Sequence, residues 1–327
     1  MNTLITGGLG FQGRHLTEAL LARGHAVTIL ATPSVRSWAS MHVLPARIVW
    51  GSVTDPHVVR AAVEGQDVVV HMAAKANPEW CMEYPVDAWA INVGGTQTVL
   101  EALRPHPTCR LVHVSSCEVY GAPDPDDWRR EHCGSCDGDG GPDDYQQDEA
   151  SPMRPSTIYA ASKCAADRLV YAYIKTYGTR ATIVRPCNIY GPGQRAGGHG
   201  GVIPTMVARS LAGLPLVVRG DGRQTREFMH VTDVTGVYTR LIEDDVRVPD
   251  HVVNVGSGQR ISIMEIAMAI QREFGTAIDT APARPGEVRE FRLSSFMAQA
   301  HHLMPPRMRP FDRGLDEYIA WARAQTR

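Results

Sequence analysis

Tyr159 and Lys163 are the two side chains of this sequence whose joint chemistry is easiest to name. They stand four residues apart in a stretch with helical periodicity, so both lie on one face of the predicted helix. An ammonium group beside a phenol lowers the pKa of the phenol, and tyrosinate is then a usable base near neutral pH. Because the chain has only three lysines, a chance match to this spacing is expected in about one such chain in ten. The pair predicts a proton-transfer site, with a purely structural pair as the alternative.

A second cluster, Ser116-Cys117-Glu118, follows a short apolar run that predicts a strand. In a doubly wound sheet, the carboxyl ends of the strands border the ligand crevice. A hydroxyl, a thiol and a carboxylate in succession there would provide proton donors and a general base. Because a neighbouring carboxylate raises the pKa of a thiol, we expect Cys117 to be a neutral donor and not a nucleophile. The alternative is that Cys117 is a small buried apolar residue and Glu118 a solvated turn residue.

Three glycines, Gly7, Gly10 and Gly13, lie directly after the first apolar run and at the opening of the first helical stretch. This spacing allows a tight turn and brings backbone N–H groups at a helix N-terminus against the pyrophosphate of a dinucleotide. The glycines alone are weak evidence, but their position between a strand and a helix at the start of a βαβ series is specific. The segment predicts a dinucleotide site, with a structural glycine-rich turn as the alternative.

The elements that must position these residues alternate along the chain. Short β-branched runs separated by amphipathic helices predict βαβ crossovers and a parallel sheet covered on both faces. The predicted strands are Thr3–Ile5, Val27–Leu30, Ile48–Trp50, Val68–His71, Leu111–Val114 and Thr182–Val184. The predicted helices are Phe11–Arg23, Pro56–Val63, Ala88–Leu103 and Ile158–Thr176.

The alternation becomes looser after about residue 187, where a Gly/Pro-rich stretch begins. We therefore predict an α/β fold: a doubly wound parallel sheet (Rossmann fold) in residues 1–186, and a smaller C-terminal substrate-binding lobe in most of 187–327. The segment 231–256 is expected to complete the main sheet through a strand at Val252–Val255. Within the lobe we predict a strand near Leu216–Val218 and helices near Ser262–Phe274 and Gly314–Arg323.

Residues 124–149 are rich in Asp and Gly and predict a long polar insertion, either a solvated loop or an active-site flap. The insertion contains His132-Cys133-x-x-Cys136, which could form half of a zinc site. No second Cys/His pair follows at a suitable spacing, so we expect no metal.

The composition excludes several classes of function. The chain has 327 residues, of which 43% are hydrophobic, which is enough to bury a core and argues against disorder. A net charge of -2 argues against a nucleic-acid or anionic-membrane partner. There is no membrane-spanning or signal-like stretch, and the seven scattered cysteines do not form a secreted disulfide pattern. We therefore expect a cytoplasmic protein.

Further motifs accompany these clusters: Val69–Ala74, Asn92-Val93-x-Gly95-Thr96 and Arg185-Pro186-x-Asn188-x-Tyr190-Gly191-Pro192. With the glycine motif and Tyr-x-x-x-Lys, they resemble the extended short-chain dehydrogenase/reductase family. The segments 202–204, 220–228 and 231–234 are similar to the nucleotide-sugar branch of that family, which contains epimerases, dehydratases and decarboxylases. The resemblance covers essentially the whole chain except the insertion.

Residues 116–118 decide which member of that branch the sequence resembles. Sugar-nucleotide 4,6-dehydratases carry Thr-Asp-Glu there, UDP-glucuronate decarboxylases Thr-Ser-Glu, and epimerases usually small residues. This chain has Ser-Cys-Glu, which keeps the base and replaces the acid with a thiol. The pair looks like the UDP-N-acetylglucosamine 5,6-dehydratase of tunicamycin-type biosynthesis, and the segment 286–292 is similar to the C-terminal lobe of that enzyme.

The resemblance implies a redox-neutral dehydratase with a tightly held nicotinamide cofactor. Tyr159, assisted by Lys163 and Ser116, would remove a sugar hydroxyl proton, and Glu118 would abstract the C–H next to the transient ketone. Cys117, or a water that it positions, would protonate the departing hydroxyl. The product would be an exocyclic 5,6-alkene or a deoxy-keto sugar.

The cofactor is expected to be NADP or NAD, with NADP slightly favoured. No carboxylate follows the second strand to hold an adenosine 2′-hydroxyl, whereas hydroxyls and Arg36 could accept a 2′-phosphate. Ser52 stands where an Asp commonly contacts adenine. The implied cofactor-binding residues are Gly7, Gly10, Phe11, Gln12, Gly13, Thr32, Ser34, Arg36, Ser52, Val53, Ala73, Ala74, Asn92, Ser115, Tyr159, Lys163 and Pro186.

The expected substrate is a nucleotide sugar or a sugar-modified nucleoside, and the sequence does not distinguish which sugar or base. The implied substrate-binding residues are Lys75, Asn188, Arg226, Arg284 and Arg289, the arginines for a diphosphate. Alternatives are a 4,6-dehydratase, a decarboxylase or an epimerase. A cofactor-binding regulator is the non-enzyme alternative, against which the Tyr159/Lys163 pair argues.

The resemblance also implies a homodimer in which two helices of each subunit form a four-helix bundle. These helices correspond to about 88–103 and 158–176. Their apolar residues could face both the sheet and a partner. The candidates are Ile91, Val99, Leu100, Leu169, Val170 and Tyr173.

Overall fold

The computed structural model of the chain describes residues 1–33, 45–122, 146–196, 201–283 and 289–326. Its strands, numbered along the chain, are β1 (Asn2–Thr6), β2 (Ala26–Ala31), β3 (Arg47–Trp50), β4 (Val68–His71), β5 (Arg110–Val114), β6 (Ala181–Pro186), β7 (Asn188–Tyr190), β8 (Leu216–Arg219), β9 (Thr225–His230), β10 (Val252–Val255), β11 (Arg260–Ser262) and β12 (Ile278–Ala281).

The α-helices are numbered in the same way. They are α1 (Phe11–Ala22), α2 (Pro56–Val63), α3 (Pro78–Glu83), α4 (Pro85–Trp89), α5 (Gly95–Leu103), α6 (Ile158–Tyr177), α7 (Val202–Leu211), α8 (Val231–Glu243), α9 (Ile263–Phe274), α10 (Phe296–Ala300) and α11 (Phe311–Gln325). Short 3₁₀ turns at Cys117–Tyr120 and Pro249–His251 and a π-turn at Ala90–Gly94 complete the elements of the described residues.

Seven strands form one parallel sheet in the order β10-β6-β5-β4-β1-β2-β3. The order reverses between β1 and β4, and ligands of doubly wound sheets bind in the crevice beyond the carboxyl ends of the strands at such a reversal. The glycine segment follows β1, and Ser115 to Glu118 follow β5. The predicted doubly wound Rossmann sheet is confirmed, and the topology brings the predicted motifs to one edge.

Helices cover both faces of this sheet. On one face α1 and α8 bury Leu16, Leu20 and Val234 against β1 and β2, while on the other α2, α5 and α6 bury Val59 and Val170. Because both faces are covered, the central strands are apolar almost throughout, as in other buried parallel sheets.

A third apolar core belongs to the C-terminal elements. It is formed by α7, α9, α11 and β8, and includes Met206, Ile266, Leu216 and Leu315. Two small sheets, β11-β9-β7 and β12-β8, flank it. The strand predicted at Val252–Val255 does return to the main sheet, because β10 pairs with β6 in parallel. The division of the chain at residue 186 stays a prediction.

Two expectations about elements are wrong. The stretch Ala88–Leu103 is not one regular α-helix, because the π-turn at Ala90–Gly94 interrupts it. The insertion predicted to extend to residue 149 ends earlier: Gln147 is buried and pairs with Leu293, and Glu149 Oε1 accepts from Asn254 N at 2.7 Å. Residues 123–145, with Cys133 and Cys136, lie outside the described residues.

Local sequence signals account for the start and end of α6. Thr157 caps the helix, its Oγ1 accepting from the backbone N–H of Ala160 at 3.0 Å. The helix ends at Gly178, which takes the left-handed conformation with φ 68°. Because the cap precedes Tyr159 by two residues, the tyrosine lies in the first turn and Lys163 in the second.

Candidate active site

The glycine segment forms a closely packed turn at the end of β1. Gly7 has φ 74°, and a Cβ there would also lie 3.1 Å from the backbone of Ala73. A Cβ at Gly13 would lie 2.3 Å from the carbonyl oxygen of Gly7, so α1 can approach the turn only with glycine at that position. The turn is closed by the hydrogen bond from Gly10 N to Gly7 O, 2.9 Å long.

The N-terminus of α1 is suited to a phosphate group. Gly10 is its N-cap, and the helix has neither a side-chain cap nor an acidic residue in its first turn. Backbone N–H groups and the helix dipole there favour an anion. The fit to a dinucleotide therefore rests on this chain's own backbone: a cradle that side chains would fill and an uncapped helix start. Gln12 has one described contact, accepting at Oε1 from the Tyr238 hydroxyl at 2.8 Å.

The remaining cofactor candidates lie at or shortly after the carboxyl ends of other strands of the main sheet. Thr32 follows β2 and is exposed, while Ser52 Oγ lies 2.8 Å from Thr54 Oγ1. Val53 is buried against Gly95. Ala73 and Ala74 follow β4, and Pro186 ends β6. Ser34 and Arg36 lie outside the described residues.

Tyr159 and Lys163 lie on one face of α6 and are both buried, at 8% and 5% exposure. The Lys163 ammonium donates to the carbonyl oxygen of Val114 at 2.6 Å, at the last residue of β5. Burial lowers the pKa of Lys163 to about 8, while the Asp167 carboxylate acts in the opposite direction. The Tyr159 phenol interacts with the Ser116 hydroxyl, which joins the two predicted clusters.

The expectation that Lys163 depresses the pKa of Tyr159 is wrong for this arrangement. Burial and the Glu118 carboxylate raise the pKa of Tyr159 above its ordinary value, and the hydrogen bond from Ser116 opposes them only in part. The ammonium is directed to the Val114 carbonyl oxygen. The phenol is therefore protonated in the structure as it stands.

Ser116, Cys117 and Glu118 form the start of the 3₁₀ turn after β5. Ser116 caps this turn, its Oγ accepting from the backbone N–H of Glu118 at 3.2 Å. Cys117 is buried, and burial followed by the charges of Glu118 and Glu227 raises the pKa of its thiol. This direction agrees with the expected neutral thiol beside a carboxylate, and the role of Cys117 as a proton donor stays a prediction. Burial also raises the pKa of Glu118, and Arg226 opposes this.

The predicted substrate-binding residues lie in different environments. Arg226 interacts electrostatically with both Glu118 and Cys117, so it belongs to the site. Arg289 instead pairs with Asp221 at 3.2 Å and is 79% exposed. Arg284 lies outside the described residues. The Asn188 amide is directed into the protein, where it donates to the carbonyl oxygen of Glu227 at 3.1 Å.

Asn92 and Lys75 are bound to one another. Asn92 Oδ1 accepts from Lys75 N at 2.8 Å, and Asn92 Nδ2 donates to Lys75 O at 3.1 Å and to Ser162 Oγ at 2.8 Å. Both amide hydrogens of Asn92 are therefore used within the protein, and its predicted role in binding a cofactor stays a prediction. Asn92 lies in the π-turn at Ala90–Gly94, and turns of this kind are often found at functional sites. The Lys75 ammonium lies 4.7 Å over the ring of Trp80, and Trp80 packs beside Tyr159.

Sequence reasoning missed a buried ion pair behind the site. Arg185 donates to both carboxylate oxygens of Asp167, at 2.8 and 3.0 Å, and both residues have 0% exposure. Ser115 Oγ also donates to Asp167 at 3.1 Å, and its predicted role in binding a cofactor stays a prediction. Arg185 also donates to the Tyr120 hydroxyl at 2.7 Å. The available signal was that Asp167 stands four residues after Lys163 on the same helix face.

Glu227 is the second group that the sequence did not single out. It has 0% exposure, its Oε1 accepts from Leu293 N at 3.2 Å, and its Oε2 has no hydrogen-bond partner among the described residues. Burial raises the pKa of Glu227 to about 7. Burial raises the pKa values of the Cys117 and Cys187 thiols, and the negative charge of Glu227 raises them further.

The described part of the chain contains neither a metal-binding cluster nor a membrane-spanning helix. It holds no group of three or more His, Cys, Asp or Glu side chains arranged to bind a metal ion. No helix within it is both long and apolar enough to span a bilayer.

The chain was compared with known proteins. The profile of the NAD dependent epimerase/dehydratase family matches residues 3–256. The dTDP-glucose 4,6-dehydratase of Mycolicibacterium smegmatis is 30% identical over 330 residues, which cover 99% of this chain and 94% of that one. DesIV, a dTDP-glucose 4,6-dehydratase from Streptomyces venezuelae solved with NAD, is 27% identical with a TM-score of 0.84, covering 99% of this chain and 97% of that one.

A further solved structure is similar over the same length. TunA, described as an NAD-dependent NDP-hexosamine 5,6-dehydratase involved in tunicamycin biosynthesis, is 27% identical with a TM-score of 0.82, covering 99% of this chain and 98% of that one. The sequence match, the strand order and the site motifs agree with one another. The chain is therefore an enzyme of the NAD-dependent epimerase/dehydratase family, within the extended short-chain dehydrogenases/reductases.

Proposed function

We propose that this enzyme removes water from a sugar nucleotide without net oxidation and produces an exocyclic 5,6-alkene. The observation that carries the proposal is the Ser116-Cys117-Glu118 turn beside Tyr159: a buried neutral thiol next to a carboxylate at the carboxyl edge of β5. The 27% identity to TunA over 99% of this chain supports the same reaction class.

The cofactor would be held by the backbone cradle of the glycine turn and by Tyr159 and Lys163. When bound, a nicotinamide dinucleotide would supply a reversible hydride acceptor with a positively charged ring. We propose NADP or NAD, with NADP favoured because no carboxylate follows β2. Equilibrium titration with each dinucleotide tests this preference, and tighter binding of NAD would overturn it.

The proton steps follow from the positions of the side chains. Because the Tyr159 phenol is protonated in the structure as it stands, it would first have to lose its proton to solvent when the positively charged dinucleotide is bound. As tyrosinate, Tyr159 would then take the proton of the C4 hydroxyl while the C4 hydride passes to the dinucleotide, and the resulting ketone would acidify the neighbouring C5–H. Glu118 removes the C5 proton, and the C6–O bond breaks as the hydroxyl takes a proton from Cys117 and departs as water. Tyr159 would return its proton to the C4 oxygen as the hydride comes back to C4 from the dinucleotide, which would restore the alcohol. Glu118 then returns its proton to Cys117, so the enzyme is regenerated.

The charges at Glu118 and Cys117 make these two transfers interdependent. Burial and, after it, the Glu118 carboxylate raise the pKa of the Cys117 thiol, so Cys117 is a particularly weak acid while Glu118 is ionised. When Glu118 takes up the C5 proton its charge disappears, and the thiol becomes a stronger acid at the stage when the hydroxyl departs. The pair therefore favours elimination only after C–H removal.

The position of Arg226 near Glu118 and Cys117 favours a negatively charged substrate. Its guanidinium acts on both Glu118 and Cys117, and arginine binds diphosphates in a bidentate manner. We propose a nucleoside diphosphate sugar as the substrate class, with a sugar-modified nucleoside as the alternative.

The test is anaerobic incubation of the purified enzyme with a panel of nucleotide sugars and nucleosides. We expect a product that has lost one water, shows vinyl protons by NMR and forms without net consumption of the dinucleotide. Consumption of the dinucleotide in proportion to product would overturn the redox-neutral mechanism.

The same incubation distinguishes the alternatives. A 4,6-dehydratase would give a deoxy-keto sugar of the same mass but without vinyl protons, a decarboxylase would release carbon dioxide, and an epimerase would give an isomer of the substrate. A cofactor-binding regulator would give no product although it binds the dinucleotide.

We also propose that the enzyme is a homodimer whose contact surface includes a segment next to the expected helices. Among the expected contact residues, Val99, Leu100, Val170 and Tyr173 are buried within their own chain, whereas Ile91 and Leu169 are only partly buried. Large exposed apolar side chains cluster instead in the segment 82–89. They are Met82, Tyr84, Val86 and Trp89, exposed by 59%, 43%, 79% and 48%. A second copy that buried this segment would remove this surface from water.

A further inference from the structure

A single imidazole lies between the glycine turn and the helix that carries Tyr159 and Lys163. His71 ends β4 and is 2% exposed. Its Nδ1 lies 2.7 Å from Thr6 Oγ1 on β1, and its Nε2 lies 3.0 Å from Thr96 Oγ1 on α5. Both ring nitrogens are therefore hydrogen-bonded, to elements on opposite sides of the site.

The direction of each hydrogen bond follows from the groups at the ends. The Thr96 hydroxyl donates to the carbonyl oxygen of Asn92 at 2.6 Å, which uses its only proton. Thr96 must therefore accept from His71, so the proton of the ring is on Nε2. Nδ1 is then an acceptor for the Thr6 hydroxyl, whose oxygen accepts in turn from Ala73 N at 3.2 Å.

The ring is also neutral. Burial, with a smaller effect of the Lys163 ammonium, lowers the pKa of His71 to about 3. The titratable groups near the ring are Lys163 on α6 and His113 on β5, whose ring centroid lies 5.5 Å away. The pKa of His113 is lowered as well, by burial and then by Lys163, so His113 brings no positive charge. His71 therefore keeps one donor and one acceptor throughout the range in which proteins are stable.

Each end of this chain of hydrogen bonds leads to a functional element. At one end, the Ala73 backbone packs against Gly7 of the glycine turn. At the other, Asn92 Nδ2 donates to Ser162 Oγ at 2.8 Å, and Ser162 Oγ donates to the carbonyl oxygen of Tyr159 at 2.8 Å.

We propose that His71, as the neutral Nε2–H tautomer, is a positioning residue that sets the glycine turn and the Tyr159 helix relative to one another. The inference rests on the proposed function for its catalytic part. It assigns each nitrogen to one half of the site: Nδ1 to the cofactor turn and Nε2 to the turn at Asn92 and the helix of Tyr159.

Two substitutions test the hydrogen bonds of Nδ1 and Nε2 separately, because a side-chain amide can replace either ring nitrogen but not both. His71→Asn places an acceptor near the former Nδ1 and has no group that reaches Thr96. His71→Gln places a donor near the former Nε2 and leaves Thr6 without its acceptor. We expect His71→Asn to lower kcat about tenfold with affinity for the dinucleotide (NADP or NAD) within about twofold, and His71→Gln to weaken dinucleotide binding about tenfold while retaining most of kcat at saturating cofactor.

The partner hydroxyls supply the matching variants. Thr96→Val should reproduce the effects of His71→Asn, and Thr6→Val those of His71→Gln. His113 is the control, because it is as deeply buried as His71 and neither of its ring nitrogens has a hydrogen-bond partner among the described residues. In His113→Asn and His113→Gln, kcat and dinucleotide affinity should change by similar factors, without the separation expected for the His71 variants. Equal losses of both quantities in all His71 variants would overturn the assignment of the two ends.

The tautomer itself is tested without turnover. Long-range ¹H–¹⁵N spectra of protein labelled with ¹⁵N-histidine show which ring nitrogen carries the proton, and the His71→Asn spectrum identifies the signals. We expect Nε2–H without titration between pH about 5 and about 9. An Nδ1–H tautomer, or a ring that titrates in this range, would overturn the inference. If the wild-type enzyme dehydrates no sugar nucleotide, the proposed function fails. The spectra and the dinucleotide affinities of the variants still decide the role of His71 in that case.

Discussion

Cys117 is the residue on which the assignment of the reaction depends most. Its buried thiol lies next to Glu118, and both burial and that carboxylate keep it protonated. We expect Cys117→Ala to lower kcat about 100-fold, the lower end of the usual range for a lost proton donor, with cofactor affinity within about threefold. Steady-state kinetics and cofactor titration measure the two quantities.

Cys187 provides the control for this prediction. It is equally buried in the same core, and burial also raises the pKa of its thiol, with Glu227 as the next cause. Cys187→Ala should therefore reproduce any packing effect of losing a buried sulfur. Full activity in Cys117→Ala would make this cysteine a packing residue and remove the main support for 5,6-dehydration.

Glu118 is predicted to be the base at C5. Glu118→Gln keeps the size of the side chain and removes its basicity, so exchange of the substrate C–H into deuterium oxide should fall below detection while the dinucleotide still binds. NMR of the recovered substrate follows the exchange. Exchange at the wild-type rate in Glu118→Gln would assign the base to another group.

At the scale of elements, Asp167 and Arg185 join α6 to β6. Removal of one partner from such a buried pair leaves the other charge uncompensated, so we expect Asp167→Asn to lower the free energy of unfolding by about 3–5 kcal/mol. Urea denaturation measures the change. Arg168 contacts the same carboxylate at 3.2 Å but is 50% exposed, so Arg168→Ala should cost less than about 1 kcal/mol. Similar losses in the two variants would contradict the distinction between buried and exposed partners.

Glu227 links β9 to the segment that contains Leu293 and gives stability a pH dependence. Burial raises its pKa from 4.5 to about 7, so the folded state retains a proton that the unfolded state loses between these pH values. The stability contributed by this proton is present below pH about 4.5 and is lost as the pH rises to about 7. Relative to Glu227→Gln, the wild-type protein should lose about 3 kcal/mol of unfolding free energy across this window.

Urea denaturation at several pH values measures that difference. Glu265 is a control of opposite sign, because hydrogen bonds from Ser262 lower its pKa. Its contribution is therefore present at neutral pH and lost as the pH falls. A difference between wild-type protein and Glu227→Gln that is independent of pH would show that the carboxyl is not protonated in the fold.

At the scale of the whole molecule, assembly depends on the exposed segment 82–89. We expect a dimer at micromolar concentration by light scattering, and Val86→Glu or Trp89→Glu should shift it toward monomer because a charge would be buried at the contact. Phe296 is 68% exposed on α10, and Phe296→Glu serves as the control that should remain dimeric. A wild-type protein that is monomeric at this concentration would refute the assembly.

The sequence by itself determined the sheet and the location of the site. Strand and helix positions follow from local periodicity and capping residues, as at Thr157 and Gly178, and the glycines at 7 and 13 indicate a close approach of backbone. Because the carboxyl ends of parallel strands share one edge, the cluster at 116–118 was expected to border the ligand crevice, and the family resemblance implied that Tyr159 and Lys163 act with it.

Only the tertiary structure decided which groups those side chains contact. The Asn92 amide is hydrogen-bonded to Lys75 and Ser162, and the Ser115 hydroxyl is hydrogen-bonded to Asp167. Burial and the Glu118 carboxylate raise the pKa of Tyr159. Hydrogen bonds and desolvation act between residues that are distant along the chain, whereas periodicity and capping act within a few residues. The hydrogen bonds of His71 illustrate the difference: their partners are 65 and 25 residues away, so no local pattern could reveal them.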